Sequence, residues 1–487
     1  MDDPLLKVLE NISGFIWGPY LLIPLLLGTG VFLTLRLGGL QVFKLGPALR
    51  LALIDRKDAG AAAGGHGDIS HYQALTTALA ATVGVGNIVG VATAIHLGGP
   101  GAVFWMWVTA AFGMASKYAE AFMAVRFRTV DAKGEMSGGP QYYLKHAIGG
   151  GFGVFLSLFF AIAAVFASFG IGNMTQANTV AAALEDTFSV PLWITGIALA
   201  LGTGLVLIGG IKAIGRVTAG FVPMMIVFYV VGGLVILVLN APAVPAALGT
   251  IFADAFTGTA ATGGFVGATL AAAIRYGVAR GIFSNESGLG SAAIAAASAQ
   301  TRHPVRQGLV SMTQTFIDTM IVVSITGLVI VTTGVWQTEQ EPALMTAAGF
   351  SHGLPGNWGH IIVTLAVIFF AFSTVLGWAY YGERCVERLV GIKGVMPYRL
   401  LFSAVVFIGA TTELDIVWTF SDIANGLMAL PNLLGLLICS GLIARETRAY
   451  LRVDPTLKNE PAEPTLHGID GLATQDARRD GGGQAGV

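Results

Sequence analysis

Two stretches of this chain set glycines and polar residues inside long apolar runs: TVGVGNIVG at residues 82–90 and ARGIFSNESGLGS at residues 279–291. Each glycine weakens a helix interior by about 1 kcal/mol relative to alanine, so both runs are built to come apart at these points. Unwinding frees N–H groups on one half-helix and C=O groups on the other, and those ends carry partial positive and negative charge. A zwitterion offers a carboxylate to the first and an ammonium to the second, and a small cation such as sodium suits freed carbonyls. In the first stretch Gly84 and Gly86 expose the backbone, while Thr82 and Asn87 flank it. Their side chains can complete the shell of a carboxylate or an ion, or cap the loose helix ends. The duller alternative is that Gly84, Gly86 and Gly90 only let neighbouring helices pack.

Other polar residues stand out against apolar surroundings. Asn173 and Gln176, three apart in GIGNMTQAN, face either a site or another helix. In FSTVLGW, Ser373 and Thr374 offer adjacent hydroxyls, and Trp378, four residues after Thr374, shares its helix face as a pocket wall or a packing aromatic. Arg280 and Glu286 bracket the second stretch, a cation toward one helix end and an anion toward the next, so they fit the local dipoles or form a gate. Asp318 is an acid deep in an apolar helix, an ion ligand, a proton carrier or a hydrogen-bonded structural group. Lys117 and Glu120 are spaced to pair.

The elements that must position these residues are membrane helices. The chain has 487 residues, 54% hydrophobic and 11% charged, with mean hydropathy +0.72; soluble domains carry about 25% charged residues. Runs of about 20 apolar residues, enough to cross a bilayer, occur at 15–35, 73–98, 102–124, 153–178, 191–210, 217–239, 265–298, 309–333, 360–382, 397–412 and 416–443. The first follows MDDPLLKVLENIS, which lacks the basic leader of a cleavable signal. After Lys7, the Lys and Arg residues outside spans fall in alternate loops: Arg36 to Lys57, Arg126 to Lys145, Lys212 and Arg216, Arg302 and Arg306, Arg384 to Arg399, and the tail. That alternation places the amino terminus outside and the carboxyl terminus in the cytoplasm.

The interrupted spans are the second and the seventh, five apart, so they run in opposite directions. The expected fold is all-α, eleven transmembrane helices arranged as one leading helix plus a 5+5 inverted repeat, with a broken first helix in each repeat. The boundaries are 1–60 for the leading helix and linker, 61–240 and 241–453 for the two repeats, and 454–487 for a polar, disordered tail.

A net charge of −1 excludes a nucleic-acid footprint, and Cys385 and Cys439, in different spans, suggest neither a disulfide framework nor a metal cage. There is no HExxH, no GxSxG and no pair of histidines within a span, which argues against a membrane enzyme. Two distinct breaks in one chain suit one site per subunit, with a monomer sufficient, rather than a channel.

Three longer motifs carry a family resemblance: TTALAATVGVGNIVGVATAIHLGGPGAVFWMWVTAAFGMASKYAE, GEMSGGPQYYL and ARGIFSNESGLGSA. They resemble the signatures of the alanine or glycine:cation symporter family. The resemblance implies a leucine-transporter-like fold and sodium-coupled uptake of alanine or glycine at the cell membrane, with no cofactor beyond the coupling ion. It further implies that Ile282, Phe283 and Ser284, at the centre of the second break, hold the substrate side chain and ammonium. Ala80 and Val83, at the start of the first break, would join Ser373 and Thr374 around sodium. A proton-coupled symporter using Asp318 or Glu286 is the rival expectation.

Overall fold

The computed structural model describes residues 4–18, 20–55, 67–257, 270–301, 303–338, 340–356, 358–412 and 415–458. Apart from a hairpin of Thr129–Val130 with Met136–Ser137 and a bridge between Ile69 and Ala299, the regular structure in them is helical. Helix α1 (Pro4–Ile16) is separate from α2 (Leu22–Arg36), so the expected span at 15–35 is divided. Two residues explain the corner. Buried Trp17 donates its indole N–H to the Asp422 carbonyl at 2.9 Å, and Pro24, in the first turn of α2, has no N–H with which to continue a helix from upstream. Two short helices follow, α3 (Leu40–Phe43) and α4 (Leu45–Leu53).

The first interrupted run is α5 (His71–Thr82), a single 3-10 turn, then α6 (Val89–Gly98). A capping box between Ser70 and Gln73 starts it. Next come α7 (Gly101–Arg126), α8 (Pro140–Tyr143) and α9 (Gly150–Phe169), which passes through a π-turn at Gly170–Met174 into α10 (Thr175–Phe188). Helices α11 (Leu192–Ile208), α12 (Gly210–Leu239) and α13 (Val244–Thr257) follow. The second interrupted run is α14 (Leu270–Asn285) and α15 (Ala292–Ala297). Helix α16 (Pro304–Thr315) passes through a π-turn at Phe316–Val323 into α17 (Ser324–Thr332). Helices α18 (Pro342–Gly353), α19 (Trp358–Val390), α20 (Val395–Thr411) and α21 (Asp415–Val453) follow. Of the tail expected to be disordered, 454–487, residues 454–458 are in place, with buried Asp454 paired to Arg306 at 3.6 Å, and the rest lies outside the described residues.

Among the described residues, six helices are each long and apolar enough to cross a membrane, Gly150–Phe188 and Trp358–Val390 among them. Burial separates inner from outer helices. Every residue from Ala74 to Ile88 and from Gly281 to Ala299 is buried, whereas α11 and α12 expose Leu205, Ile208, Val227 and Val238. The two interrupted runs are therefore inside the bundle, where irregular backbone is tolerated in a membrane protein.

Candidate functional site

Helix α5 ends because its next N–H groups find other acceptors. The last helical bond runs from Val83 N–H to the Leu79 carbonyl at 2.8 Å. The Gly84 N–H turns to Asn87 Oδ1 at 2.9 Å, and the Val85 N–H turns to Gln176 Oε1 at 3.3 Å. The Ala80 carbonyl, which Gly84 would have capped in a continuing helix, instead meets the hydroxyls of Ser373 at 3.2 Å and Thr374 at 3.1 Å. Ser373 also reaches the Phe370 carbonyl of its own helix at 2.8 Å. Downstream, the Asn87 carbonyl accepts from Thr326 and the Ile88 carbonyl from Thr346, at 2.8 and 2.9 Å. All these groups are neutral.

The first break and the last turn of α14 meet at Asp318. The π-turn in the eighth apolar run carries this side chain inward, where Oδ1 accepts from Asn87 Nδ2 at 2.8 Å and Oδ2 from Ser284 Oγ at 2.8 Å and Thr319 Oγ1 at 2.7 Å. Ser284 belongs to the last turn of α14, as do Ile282 and Phe283, so these three residues do not form the centre of the second break. The backbone leaves the helix at Glu286, which has φ 56°, and turns through Gly288 and Gly290 at φ 92° and 82°. The break falls there because left-handed backbone suits glycine.

The break at 286–291 is tied down by charged and amide groups. Lys117 Nζ donates to the Glu286 carbonyl at 2.9 Å and lies 3.7 Å from Glu120 Oε2. Glu120 Oε1 accepts from the Gly290 N–H at 3.1 Å and Asn432 Nδ2 at 2.8 Å, and Asn432 Nδ2 also reaches the Gly288 carbonyl at 2.9 Å. The Glu286 carboxylate takes the Ser291 hydroxyl at 2.6 Å and has the Trp378 side chain as a further partner.

The remaining expected residues divide between wall and scaffold. Phe283 packs on the first break: a β-carbon at Gly86 would stand 3.0 Å from its ring. On its other side Phe283 stacks on Trp418 at 5.9 Å, with the Arg280 guanidinium 5.4 Å from its centroid. Buried Trp378 lies against Gly172 of the π-turn in the fourth run, where a β-carbon would come within 2.2 Å of it. Two residues bond the scaffold, Thr82 through its hydroxyl and Asn173 through Nδ2 alone, its buried Oδ1 having no partner. Thr82 bonds back to the Ala78 carbonyl at 3.0 Å, and Asn173 donates to the Phe402 carbonyl of α20 at 2.8 Å. Arg280 pairs with Asp422 at 3.4 Å rather than with Glu286.

Above Phe283 a cavity of about 420 Å³ is bordered by Gly90, Thr93, Asn178, Arg280, His360 and Trp418. At the opposite end of the interrupted runs the chain is laced shut. The Gln300 N–H bonds the Ile69 carbonyl at 2.7 Å, and Arg128 donates to the carbonyls of Ala297, Ala299 and Thr301 at 2.7–2.9 Å. Beyond these, Arg384 bridges Asp131, Glu135, Glu383 and Glu387 at 2.7–3.4 Å. One end of the site thus faces a cavity while the other is closed.

Several participants carried no pattern in the chain. Thr346 and Asn432 are single polar residues in apolar surroundings, while Thr319 stands beside Asp318 and Thr326 two residues after Ser324, with no motif to mark them. Asn425 of α21 is fully buried with neither amide end partnered, a costly arrangement without a polar ligand. It lies one helical turn after Ser421, whose hydroxyl abuts Gly170 at the π-turn beside Trp378.

Similarity to known proteins agrees with the chain-wide motifs. The family model described as the sodium:alanine symporter family matches residues 2–463. The chain is 53% identical over 449 residues to the sodium/alanine symporter AgcS of Methanococcus maripaludis, covering 91% of this chain and 97% of that protein. It is 50% identical to an uncharacterised transporter of Haemophilus influenzae, covering 92% of this chain and 96% of that one. A solved manganese transporter of Eremococcus coleocola superposes with TM-score 0.49 at 12% identity, covering 88% of this chain and 96% of that one.

Proposed function

Because the chain belongs to the sodium:alanine symporter family, we propose that it imports a small neutral amino acid, alanine or glycine, with sodium across the cell membrane by alternating access. The two units of opposite topology, 61–240 and 241–453, move about the paired breaks in a leucine-transporter-like bundle of eleven spans. The amino terminus is outside and the carboxyl terminus in the cytoplasm. In that orientation the cavity above Phe283 faces outward and the Arg128 and Arg384 lacing closes the cytoplasmic side. The substrate lies beside Gly84, Gly86 and Asn87, against Phe283 and Trp378, with Asn425 as a polar contact. Gln176 acts on the substrate through the Val85 backbone it holds.

The observation that carries this reading is the meeting of the Ala80 carbonyl with the Ser373 and Thr374 hydroxyls where α5 ends. Neutral oxygens at a released helix end are the donor set a small hard cation takes, and Val83 is the turn residue that shapes it. A neutral site also keeps the electrical drive. One sodium carried with a zwitterion moves one positive charge, worth about 2.3 kcal/mol per 100 mV, and a fixed carboxylate moving with it would cancel part of that.

A second reading, proton coupling, is favoured by Asp318, a buried carboxylate touching the first break and the last turn of α14. Radiolabelled alanine uptake into proteoliposomes, with sodium and pH gradients imposed separately, decides. Concentrative uptake driven by sodium alone is the expected result. Uptake that follows the pH gradient without sodium overturns it and leaves Asp318 or Glu286 as the proton carrier.

A further inference from the structure

Four arginines collect where α2 meets the last turns of α21. A groove of about 490 Å³ is bordered by Arg36, Gly441, Arg445, Arg448 and Arg452. Arg448 donates to the Arg36 carbonyl at 2.9 Å, and the Arg36 guanidinium lies over the Phe32 ring at 5.5 Å. The carboxylates nearest in the chain are turned to other bases: Glu446 to Arg126 at 3.2 Å, Asp454 to Arg306 at 3.6 Å and Asp55 to Arg50 at 3.2 Å. The contrast with Arg384, which has four carboxylates of its own, is sharp. Four guanidiniums around one groove that, among the described residues, is lined by no carboxylate repel one another unless an anion joins them.

The chemistry of that anion follows from guanidinium geometry, whose planar fork matches phosphate oxygens. What surrounds the groove selects its source. Along α21 the residues Leu434, Ile438, Gly441, Arg445, Arg448 and Arg452 recur every three or four positions and so share one face. The first part of that stripe is apolar and outward, with Leu434 39% and Ile438 56% exposed. The second part is basic. Helix α2 repeats the order, with Phe32 and Leu35 exposed just before Arg36. Exposed apolar surface running into a basic groove fits acyl chains that end in a phosphate headgroup; a free phosphate needs no such approach. We propose that this groove binds the phosphate headgroup of an anionic glycerophospholipid in the leaflet on this side of the membrane. Arg445 and Arg452 are about 10 Å apart along the helix, which gives room for two phosphodiesters, so a lipid carrying two binds more tightly than a lipid carrying one.

The test uses the full chain purified in an uncharged detergent, with bound lipid counted by native mass spectrometry. Phosphatidylglycerol, diphosphatidylglycerol and phosphatidylcholine are titrated in turn. The expected result is retention of the two anionic lipids, diphosphatidylglycerol the tighter, and loss of phosphatidylcholine. Arg445→Gln/Arg452→Gln should weaken anionic lipid binding about thirtyfold, the equivalent of about 2 kcal/mol. Arg445→Gln alone should weaken it about fivefold, which keeps the test valid if the double variant folds poorly. Equal retention of phosphatidylcholine, or wild-type affinity in the variants, overturns the proposal. Displacement of the lipid by millimolar inorganic phosphate or pyrophosphate also overturns it and assigns the groove to a soluble anion. None of these outcomes bears on the transport reading, because the groove is separate from the broken helices.

Discussion

At the first break the released backbone groups are met by hydroxyls and amides: Asn87, Gln176, Thr326, Thr346, Ser373 and Thr374. At the second they are met by Lys117 and by Glu120 with Asn432. The glycines differ in the same way. Gly84 has φ −138°, ordinary extended backbone, and its role is space, since a β-carbon there would come 2.3 Å from Thr374 Oγ1. Gly288 and Gly290 are needed for their backbone angles. Neutral dipoles can exchange protein partners for an ion or a zwitterion without stranding a charge. A clamp built on a buried ion pair cannot. Under the proposed function, the difference makes the first break the exchangeable half of the site and the second its rigid abutment.

That contrast breaks most visibly at Lys117. Lys117→Met leaves the Glu120 carboxylate buried without its cation, which costs about 3–5 kcal/mol. The yield of monodisperse protein and its melting temperature should fall, and Lys117→Met/Glu120→Gln should recover part of both. A single variant that melts like the wild type would show that the second break is not clamped by charge. At the first break, Gly86→Val should leave abundance near normal while alanine uptake falls at least about tenfold, the effect of about 1–3 kcal/mol of overpacking against Phe283. Loss of folded protein instead would make Gly86 a packing residue.

Thr374→Ala removes one neutral oxygen, worth about 1 kcal/mol. The sodium concentration for half-maximal uptake should rise about fivefold, and saturating sodium should restore the rate. A change in alanine affinity alone would move Thr374 from the ion to the substrate. The smallest effect is expected at Gly90, where a β-carbon would meet nothing within 4 Å. Gly90→Ala should transport normally and gain up to about 1 kcal/mol in stability; impaired uptake would show that the start of α6 must unwind further during the cycle.

The breaks themselves were legible, because glycine-rich polar segments inside apolar runs violate helix propensity wherever they occur. Their chemistry was legible only in part. The second break is displaced from Phe283 to Glu286 because Ser284 finds Asp318 as a partner and stays helical, and the left-handed angles fall on Gly288 and Gly290. The π-turns that aim Asp318 and make room for Trp378 have no composition of their own; tertiary contacts decide them. Thr82 and Asn173 show the limit of reading polar residues one at a time. Each has a side chain suited to a ligand and bonds a neighbouring carbonyl, yet Asn173 does so through Nδ2 alone and keeps a buried, unpartnered Oδ1. The hydrophobic runs at 102–124, 217–239 and 360–382 correspond to α7, α12 and α19, because a length of apolar chain is a local property.

Arg384 has a consequence for the kinetics of turnover. Two of its carboxylates, Glu383 and Glu387, ride on its own helix, while Asp131 and Glu135 belong to the hairpin after α7. If the closed end parts, as the proposed alternating access requires, the arginine exchanges the second pair for water but keeps the first, so two of its counter-ions travel with it. Of its four contacts only two then have to break, and the charge stays paired as its helix leaves the hairpin.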